Sequence, residues 1–245
     1  MHASMHARII TVAAAKGGVG KTTLAYELAA ALDGILVDLD WDAGGATRMW
    51  GVDPTGYVRA PLLDGLERGP DGRPPRLRRR PTQPALLSGH PDLAASHIEA
   101  DLVADCLLAW AGQWGAPYVV VDTHPGANPL TDGAMQVADL VVVPVVLGAR
   151  EMDALEAILS DYAAYRLLLV PTMVPTVPPR RFVERLAALA GDRVAVAPPV
   201  SEHRWIRRRL RRAAIVTQPN PGARVRAAAA ELRAVADAVE VACGR

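Results

Sequence analysis

Short apolar runs rich in valine, isoleucine and leucine alternate along the chain with longer segments whose apolar residues recur at helical spacing. The runs are apolar at nearly every position, which is typical of strands that are covered on both faces of a parallel sheet. The predicted strands span residues 8–14, 35–39, 85–87, 118–121, 140–146, 167–170 and 194–197. The predicted helices span residues 22–32, 96–114, 149–162, 181–190, 201–212 and 223–241. This alternation predicts an α/β fold with a mainly parallel central sheet and helices on both faces.

Two segments carry further local signals. The helix at 96–114 opens with Ser96 and Glu99, which have the S-x-x-E spacing of a capping box. Residues 51–85 contain seven of the 20 prolines and are predicted to form an irregular excursion rather than a domain linker. We therefore interpret the 245 residues as a single domain, residues 1–245.

The composition excludes several classes of protein. With 51% hydrophobic and 22% charged residues, the chain can bury a sizeable core and is not disordered as a whole. The chain has no apolar run near the roughly 20 residues that cross a bilayer and no secretory signal at its start, so we expect a cytoplasmic protein. Its two cysteines are too few for a disulfide framework, a cysteine zinc site or an iron-sulfur cluster.

Basic residues are distributed unevenly. Of the 27 basic residues, 25 are arginines, and the two lysines, Lys16 and Lys21, lie in one glycine-rich loop. Residues 201–226 hold eight arginines and one acid, and residues 73–80 hold five arginines and no acid. Because the net charge of the chain is only +1, the remainder is acidic, and the two basic segments predict patches that suit a polyanion.

The glycine-rich loop lies between the first predicted strand and the first predicted helix, and it has the chemistry of a phosphate site. Glycines permit positive φ angles and let backbone amides approach a phosphate closely. The N-terminal dipole of the helix favours an anion, Lys21 supplies a point charge for the β and γ phosphates, and Thr22 offers a hydroxyl to Mg²⁺. The predicted nucleotide-binding residues of this loop are Lys16, Gly17, Gly18, Val19, Gly20, Lys21, Thr22 and Thr23.

Acidic residues follow two of the predicted strands. Asp38 and Asp40 end the run at 35–39, and Asp122 ends the run at 118–121. In parallel sheets ligands bind beyond the carboxyl ends of the strands, so these carboxylates should converge on the glycine-rich loop. Carboxylates there can help to hold a metal ion and to orient a water molecule for hydrolysis.

The loop reads K-G-G-V-G-K-T-T and departs from the general G-x-x-x-x-G-K-[ST] pattern, because position 15 is alanine. It fits the form K-G-G-x-G-K-T, and so resembles the ParA/MinD family of P-loop ATPases with a deviant Walker A motif. The likeness extends to V-D-L-D at 37–40, V-D-T-H-P-G at 121–126 and A-D-L-V-V-V-P at 138–144. It implies ATP and Mg²⁺ as cofactors and an ATP-dependent homodimer. The implied catalytic residues are Lys16, Lys21 and Asp40, and the implied metal-site residues are Thr22, Asp38 and Asp122.

In this family, Lys16 would reach across the dimer to the phosphates held by the other subunit, and Asp40 would orient the attacking water. Two positions depart from the family pattern. Trp41-Asp42 stands where the family usually has Pro-Gln, and His124 replaces a common proline. We interpret His124 as a passive loop residue and Asp42 as a solvated carboxylate.

The predicted helix at 201–212 carries the denser of the two basic patches. Trp205, Ile206 and Leu210 can pack inward, so that the arginines face water. An arginine face without acids suits the phosphate backbone of DNA without reading its bases. The resemblance to short ParA proteins, which lack an N-terminal helix-turn-helix module, implies that this segment binds nucleoid DNA. The predicted DNA-binding residues are Arg204, Arg207, Arg208, Arg211 and Arg212.

The resemblance as a whole implies a ParA-like ATPase for plasmid or chromosome partition, cytoplasmic and associated with the nucleoid. Its partners would be nonspecific DNA and a ParB-like centromere-binding protein, and no membrane contact is expected, because residues 231–245 mix both charges. Two alternatives stay open: a ParA-like ATPase that positions a protein cargo, and a metabolic P-loop enzyme. The role of the arginines at 76–80 also stays open between DNA, a partner and a generic surface. The adenine contacts are likewise open, the candidates being Thr172, Met173 and Pro199.

Overall fold

The computed structural model describes residues 7–42, 45–56, 61–209 and 212–244. Seven parallel strands form one sheet in the order β3-β2-β4-β1-β5-β6-β7. The strands are β1 Arg8–Val12, β2 Ile35–Asp38, β3 Ala85–Leu87, β4 Tyr118–Asp122, β5 Leu140–Val146, β6 Leu167–Thr172 and β7 Ala195–Val196. The α-helices in these ranges are α1 Lys21–Ala31, α2 Ala46–Trp50, α3 Pro61–Arg68, α4 Ala100–Trp114, α5 Pro129–Gln136, α6 Ala149–Asp161, α7 Arg180–Ala190 and α8 Ala223–Ala242. The predicted α/β fold class is confirmed.

Successive residues of the central strands point to opposite faces of the sheet, and helices cover both faces. Val120 of β4 belongs to a buried cluster formed with α1 and α8, whereas its neighbours Val119 and Val121 belong to a cluster formed with α3 and α4. A third cluster lies between the sheet and the helices α6 and α7. Burial on both faces explains why these strands are apolar at nearly every position.

Three local predictions are wrong. The excursion at 51–85 contains the helix α3, whose residues Leu62 and Leu66 are buried. The capping box does not form: α4 begins at Ala100, and the Ser96 hydroxyl instead donates to the Leu93 carbonyl at the end of a preceding 3-10 turn. The helix predicted at 201–212 is absent from the described residues, where the segment forms one 3-10 turn, Ile206–Arg208.

Two causes account for the missing helix. The backbone around Ser201 is tied elsewhere, since its amide and hydroxyl both donate to Glu231 of α8. The amide of Glu202 donates to the carbonyl of Val174, which holds the segment extended at its start. Arginines three and four residues apart would also repel one another on a helix. The inward packing of Trp205 and Ile206 is nevertheless confirmed, while Leu210 lies outside the described residues.

The carboxyl ends of three neighbouring strands meet at one edge of the sheet. Val12 of β1 lies opposite Asp122 of β4, and Asp38 of β2 lies on the other side of Asp122. The glycine-rich loop follows β1 directly, so the predicted convergence of this loop with the acids after β2 and β4 is observed. Among the described residues, none of the helices combines the length and apolarity needed to span a bilayer.

Candidate functional site

The glycine-rich loop runs from the end of β1 to the start of α1. Gly18 and Gly20 have φ angles of 83° and 88°, which side chains rarely adopt. A Cβ atom on Gly17, Gly18 or Gly20 would meet nothing within 4 Å, so the space above the loop is open. No side chain caps α1 at Gly20, which leaves the first amides of the helix available to an anion.

Lys21 extends from this loop into the cluster of acids. Its side chain is only 5% exposed, and Nζ lies 2.7 Å from Asp122 Oδ1 and 3.5 Å from Asp40 Oδ2. The ammonium also donates to the Thr123 carbonyl. Burial lowers the pKa of Lys21, but Asp122, Asp40 and Asp38 more than offset this and raise the pKa above its ordinary value. The buried carboxylates are therefore held together by a charged lysine.

Asp38 and Asp122 are both buried, but their carboxylate oxygens have different hydrogen-bond partners. Asp38 accepts hydrogen bonds from the amides of Asp40 at 3.2 Å and Thr47 at 2.6 Å, which fixes the loop after β2 and the start of α2. Burial and the nearby Asp122 raise the pKa of Asp38 to about 7. Burial also raises the pKa of Asp122, against the opposing effect of Lys21. Asp122 Oδ2 has no hydrogen-bond partner among the described residues.

This unpartnered oxygen provides a test of whether the site suits Mg²⁺. Asp122 is 0% exposed, and a buried oxygen without a donor is unfavourable unless a ligand satisfies it. Thr22, on the first turn of α1, is close enough to the same carboxyl group to lower its pKa. Carboxylate and hydroxyl oxygens are ligands that Mg²⁺ accepts. The residues present therefore fit a magnesium ion, with Asp38 behind them as a support.

The loops that follow β2 and β4 contact each other through the positions that depart from the family pattern. The rings of Trp41 and His124 stack with centroids 3.8 Å apart and planes 7° apart. His124 Nε2 lies 3.5 Å from Asp42 Oδ2, and the Asp42 amide donates to Asp40 Oδ1 at 3.0 Å. The interpretations of His124 as passive and of Asp42 as solvated stay untested, but both side chains take part in this contact.

The first lysine of the loop is placed very differently from the second. Lys16 is exposed, and within the described part of the chain it makes no hydrogen bond or ion pair. It lies at the rim of a shallow depression that also includes Val145 and Glu151. An unpaired ammonium beside a phosphate loop is free to contact a charge outside its own subunit.

A cavity of about 380 Å³ opens beside the glycine-rich loop, between the carboxyl end of β6 and the middle of α8. The candidates Thr172 and Met173 line it, and the Thr172 hydroxyl donates to the Val19 carbonyl at 2.8 Å. Pro199 is exposed and lies outside the cavity lining, where Val200 takes its place. The opposite wall belongs to the arginine-rich segment, residues 201–212. Its lining residues are Ser201, Glu202, His203, Arg204, Ile206, Arg207 and Arg208.

The predicted DNA-binding arginines thus do not share one helical face. Arg204, Arg207 and Arg208 are exposed at the cavity, where Arg204 pairs with Glu202 at 3.4 Å. Arg212 lies elsewhere, against Gly51 at the end of α2. Arg211 is outside the described residues.

A polar network that the sequence does not reveal supports the cavity wall. Glu231 accepts hydrogen bonds from the amide and hydroxyl of Ser201 at 2.9 and 2.8 Å, and it lies 2.9 Å from His203 Nε2. Burial opposes ionisation of Glu231, but these hydrogen bonds lower its pKa. The partners are far apart in the chain and follow no spacing rule, so no sequence signal joins them.

Comparison with known proteins agrees with this geometry. Over 175 residues the chain is 33% identical to the chromosome-partitioning ATPase Soj of Thermus thermophilus, and the alignment covers 68% of this chain and 66% of Soj. The chain therefore spans slightly less than two thirds of that relative.

Two solved structures share the fold. An ATP complex of McdA from Cyanothece has a TM-score of 0.75 at 16% identity, covering 98% of this chain and 97% of that chain. The cobyrinic acid a,c-diamide synthase of Mycobacterium smegmatis, with ADP and magnesium bound, has a TM-score of 0.69 at 24% identity, covering 96% of this chain and 94% of that chain. Residues 10–176, which include the glycine-rich loop and the acids after β2 and β4, match the domain family described as CobQ/CobB/MinD/ParA nucleotide binding domain. The chain belongs to this family of nucleotide-binding domains.

Proposed function

We propose that the protein is a ParA-like partition ATPase. ATP and Mg²⁺ close a sandwich dimer through Lys16, the dimer binds DNA nonspecifically, and a ParB-like partner stimulates ATP hydrolysis and release. The observation that carries this proposal is the contrast between the two lysines of one loop: Lys21 is buried among carboxylates, whereas Lys16 is exposed and without a partner among the described residues. The similarity to Soj supports partition as the process that the ATPase serves.

The site suggests how this chain would handle the nucleotide. The amides of the glycine-rich loop and of the first turn of α1 would bind the phosphates, and Lys21 would turn from Asp122 towards the β and γ phosphates. Thr22 and Asp122 would hold Mg²⁺, which would neutralise part of the charge of the phosphates. Asp40 lies at the opening of this cluster, only 9% exposed, and would hold the attacking water in line.

The cavity beside the loop is the proposed site of the nucleoside. Thr172 and Met173 line it, whereas the third candidate, Pro199, lies outside its lining and is not proposed as a contact. Since the other wall belongs to the arginine-rich segment, a bound nucleotide would contact the same segment that is proposed to bind DNA. This placement couples the state of the nucleotide to the state of the DNA-binding surface within one subunit.

Lys16→Ala tests the dimer. We expect the variant to bind ATP through Lys21 but to stay monomeric, and therefore to lose ATP-dependent binding to unrelated DNA. Light scattering and gel shifts with and without ATP measure both effects. Arg193→Ala removes an exposed cation at the far edge of the sheet and should behave as the unsubstituted protein. An unchanged ATP-dependent dimer in Lys16→Ala would contradict the proposal. If the unsubstituted protein dimerises with ATP but does not bind DNA, the result would favour a protein cargo instead.

Asp40→Ala tests the assignment of the water-orienting residue. We expect the variant to bind ATP, dimerise and bind DNA, while its turnover number falls by about 10²-fold or more, because a positioned carboxylate contributes that much to proton transfer. Phosphate release under saturating ATP measures the turnover. Asp105→Ala, an exposed acid on α4, is the matched control. Normal turnover in Asp40→Ala would refute this role.

A further inference from the structure

The arginine-rich loop at 73–80 and the arginine-rich segment at 201–212 are far apart in the sequence, but hydrogen bonds join the residues that follow the loop to the end of the segment. The carbonyl of Thr82 accepts hydrogen bonds from the Ala214 amide at 2.8 Å and from the Thr217 hydroxyl at 2.9 Å. The side-chain amide of Gln83 donates to the Arg212 carbonyl at 2.8 Å. The loop that carries the arginines at 73–80 therefore ends directly beside the segment that carries Arg212.

Arginine side chains from both segments meet at the end of α2. The Arg80 guanidinium lies over the ring of Trp50, 4.3 Å from its centroid. The Arg212 side chain packs over the next residue, Gly51, where a Cβ atom would collide with it. Trp50 is a firm support, since it is only 2% exposed and its Nε1 donates to the Pro84 carbonyl at 2.8 Å. Stacking and packing thus hold the two guanidinium groups against two consecutive residues, Trp50 and Gly51.

The positive charge of this surface is not neutralised by neighbours. Arg79, Arg80 and Arg212 are exposed, and in the part of the chain that the structure describes none of them forms an ion pair. The acids nearby are few: Asp53 lies 3.8 Å from Arg48, and Asp33 shares a cavity of about 330 Å³ with Arg79 and Arg80. An excess of like charges with so few acids nearby favours an anionic ligand.

The character of the surface distinguishes DNA from a protein partner. The core of a protein interface is apolar and aromatic, whereas a DNA interface is polar and strongly positive. The large apolar side chains that are exposed among the described residues lie in other elements, at Leu108, Val177, Val183, Val196 and Val241. Arginine forks bind phosphate oxygens in a bidentate way, which suits a repeating phosphate backbone.

We propose that Arg79 and Arg80 act together with Arg212 as one surface that binds the phosphate backbone of DNA. This inference rests on the proposed function, since it extends the DNA-binding surface of the ATP-bound dimer beyond the segment at 204–212. It assigns a role to the loop at 73–80, which the sequence leaves open. The two segments would contact one duplex, so both should contribute to the same salt dependence.

The double variant Arg79→Ala/Arg80→Ala tests the surface. With ATP bound, we expect its affinity for unrelated duplexes to fall about tenfold or more at moderate salt, equally for all sequences. The slope of log Kd against log salt concentration should fall by about 0.9 for each phosphate that the protein no longer neutralises. Fluorescence anisotropy over a series of salt concentrations measures both. Arg79→Lys/Arg80→Lys, which keeps the charges, should retain most of the slope and shows that a weaker affinity in the alanine variant is electrostatic.

Arg181→Ala/Arg193→Ala removes two exposed arginines near the opposite edge of the sheet and should leave affinity and slope unchanged. If the unsubstituted protein binds DNA with ATP and Arg79→Ala/Arg80→Ala has the same affinity and slope, this inference is overturned and the proposed function stands. If the unsubstituted protein fails to bind DNA at any salt concentration with ATP, the proposed function fails and this inference with it. Loss of an acidic protein partner with unchanged DNA binding would identify a protein site and overturn the inference.

Discussion

Lys21→Ala is expected to weaken ATP binding strongly and, with it, to reduce hydrolysis. Lys21 is a buried cation at the phosphate loop. Without it, the phosphates would face the carboxylates of Asp38, Asp40 and Asp122 with no lysine between them. Removing one partner of a desolvated charge pair costs about 2–5 kcal/mol, so the affinity for ATP should fall by about 30-fold or more. Equilibrium binding of a fluorescent ATP analogue measures the loss.

The same substitution should also destabilise the protein without nucleotide. Asp122 would remain fully buried without the ammonium that lies 2.7 Å away, and uncompensated buried charge typically costs about 3–5 kcal/mol. Urea unfolding measures this change in the free energy of unfolding. Lys16→Ala is the matched control, because the exposed Lys16 has no partner among the described residues and its removal should leave stability unchanged. Retention of ATP affinity within about threefold in Lys21→Ala would contradict the phosphate role of Lys21.

Much of the fold is predictable because the signal is physical and local. Strands buried on both faces must be apolar throughout, and the runs at 35–39 and 140–146 match β2 and β5 to within one residue. The site follows from topology, since carboxyl ends of parallel strands share one edge. That rule places Asp38 and Asp122 together, and the strand register shows them side by side.

The helix α5 is missing from the predicted elements, although the sequence contains the residues typical of a helix start. The Asn128 side chain accepts a hydrogen bond from the Thr131 amide, and Pro129 occupies the first turn, as at many helix starts. The prediction for the segment at 201–212 fails for a different reason. Its apolar spacing favours a helix, but Glu231 accepts a hydrogen bond from the Ser201 amide, and Glu27, on another distant helix, holds the Arg209 side chain. Such contacts override local preference and leave no trace in a single sequence.

The departures at Trp41 and His124 show that contacts between distant residues are also hidden from the sequence at the site. Each is visible in the sequence as an unusual residue, but no spacing rule joins two residues that lie in different loops. In the structure their rings stack, so that the loop carrying Asp40 rests on the loop after Asp122. Trp41 and His124 are thus two unusual residues of the sequence that form a single contact, between the loops on either side of the candidate metal site.

Glu27→Ala is expected to destabilise the protein by about 3–5 kcal/mol. Glu27 lies on α1, is 1% exposed, and accepts hydrogen bonds from Arg209 at 3.2 Å and from the amides of Ile215 and Val216 at 3.0 and 3.2 Å. Burial raises the pKa of Glu27, but these donors oppose the shift. Alanine would remove the carboxylate that Arg209 contacts and would leave the two buried amides without their acceptor. Urea unfolding measures the loss.

Two comparisons make the Glu27 result specific. Glu27→Gln keeps an oxygen acceptor and should lose less stability than Glu27→Ala, whereas Glu184→Ala removes an exposed partner of Arg180 and should cost less than about 0.5 kcal/mol. Because Glu27 holds the end of the arginine-rich segment to the helix that begins at Lys21, Glu27→Ala should weaken DNA binding more than ATP binding. A loss of stability below about 1 kcal/mol would show that the segment is anchored by other contacts, since two buried amides without an acceptor cost more than that.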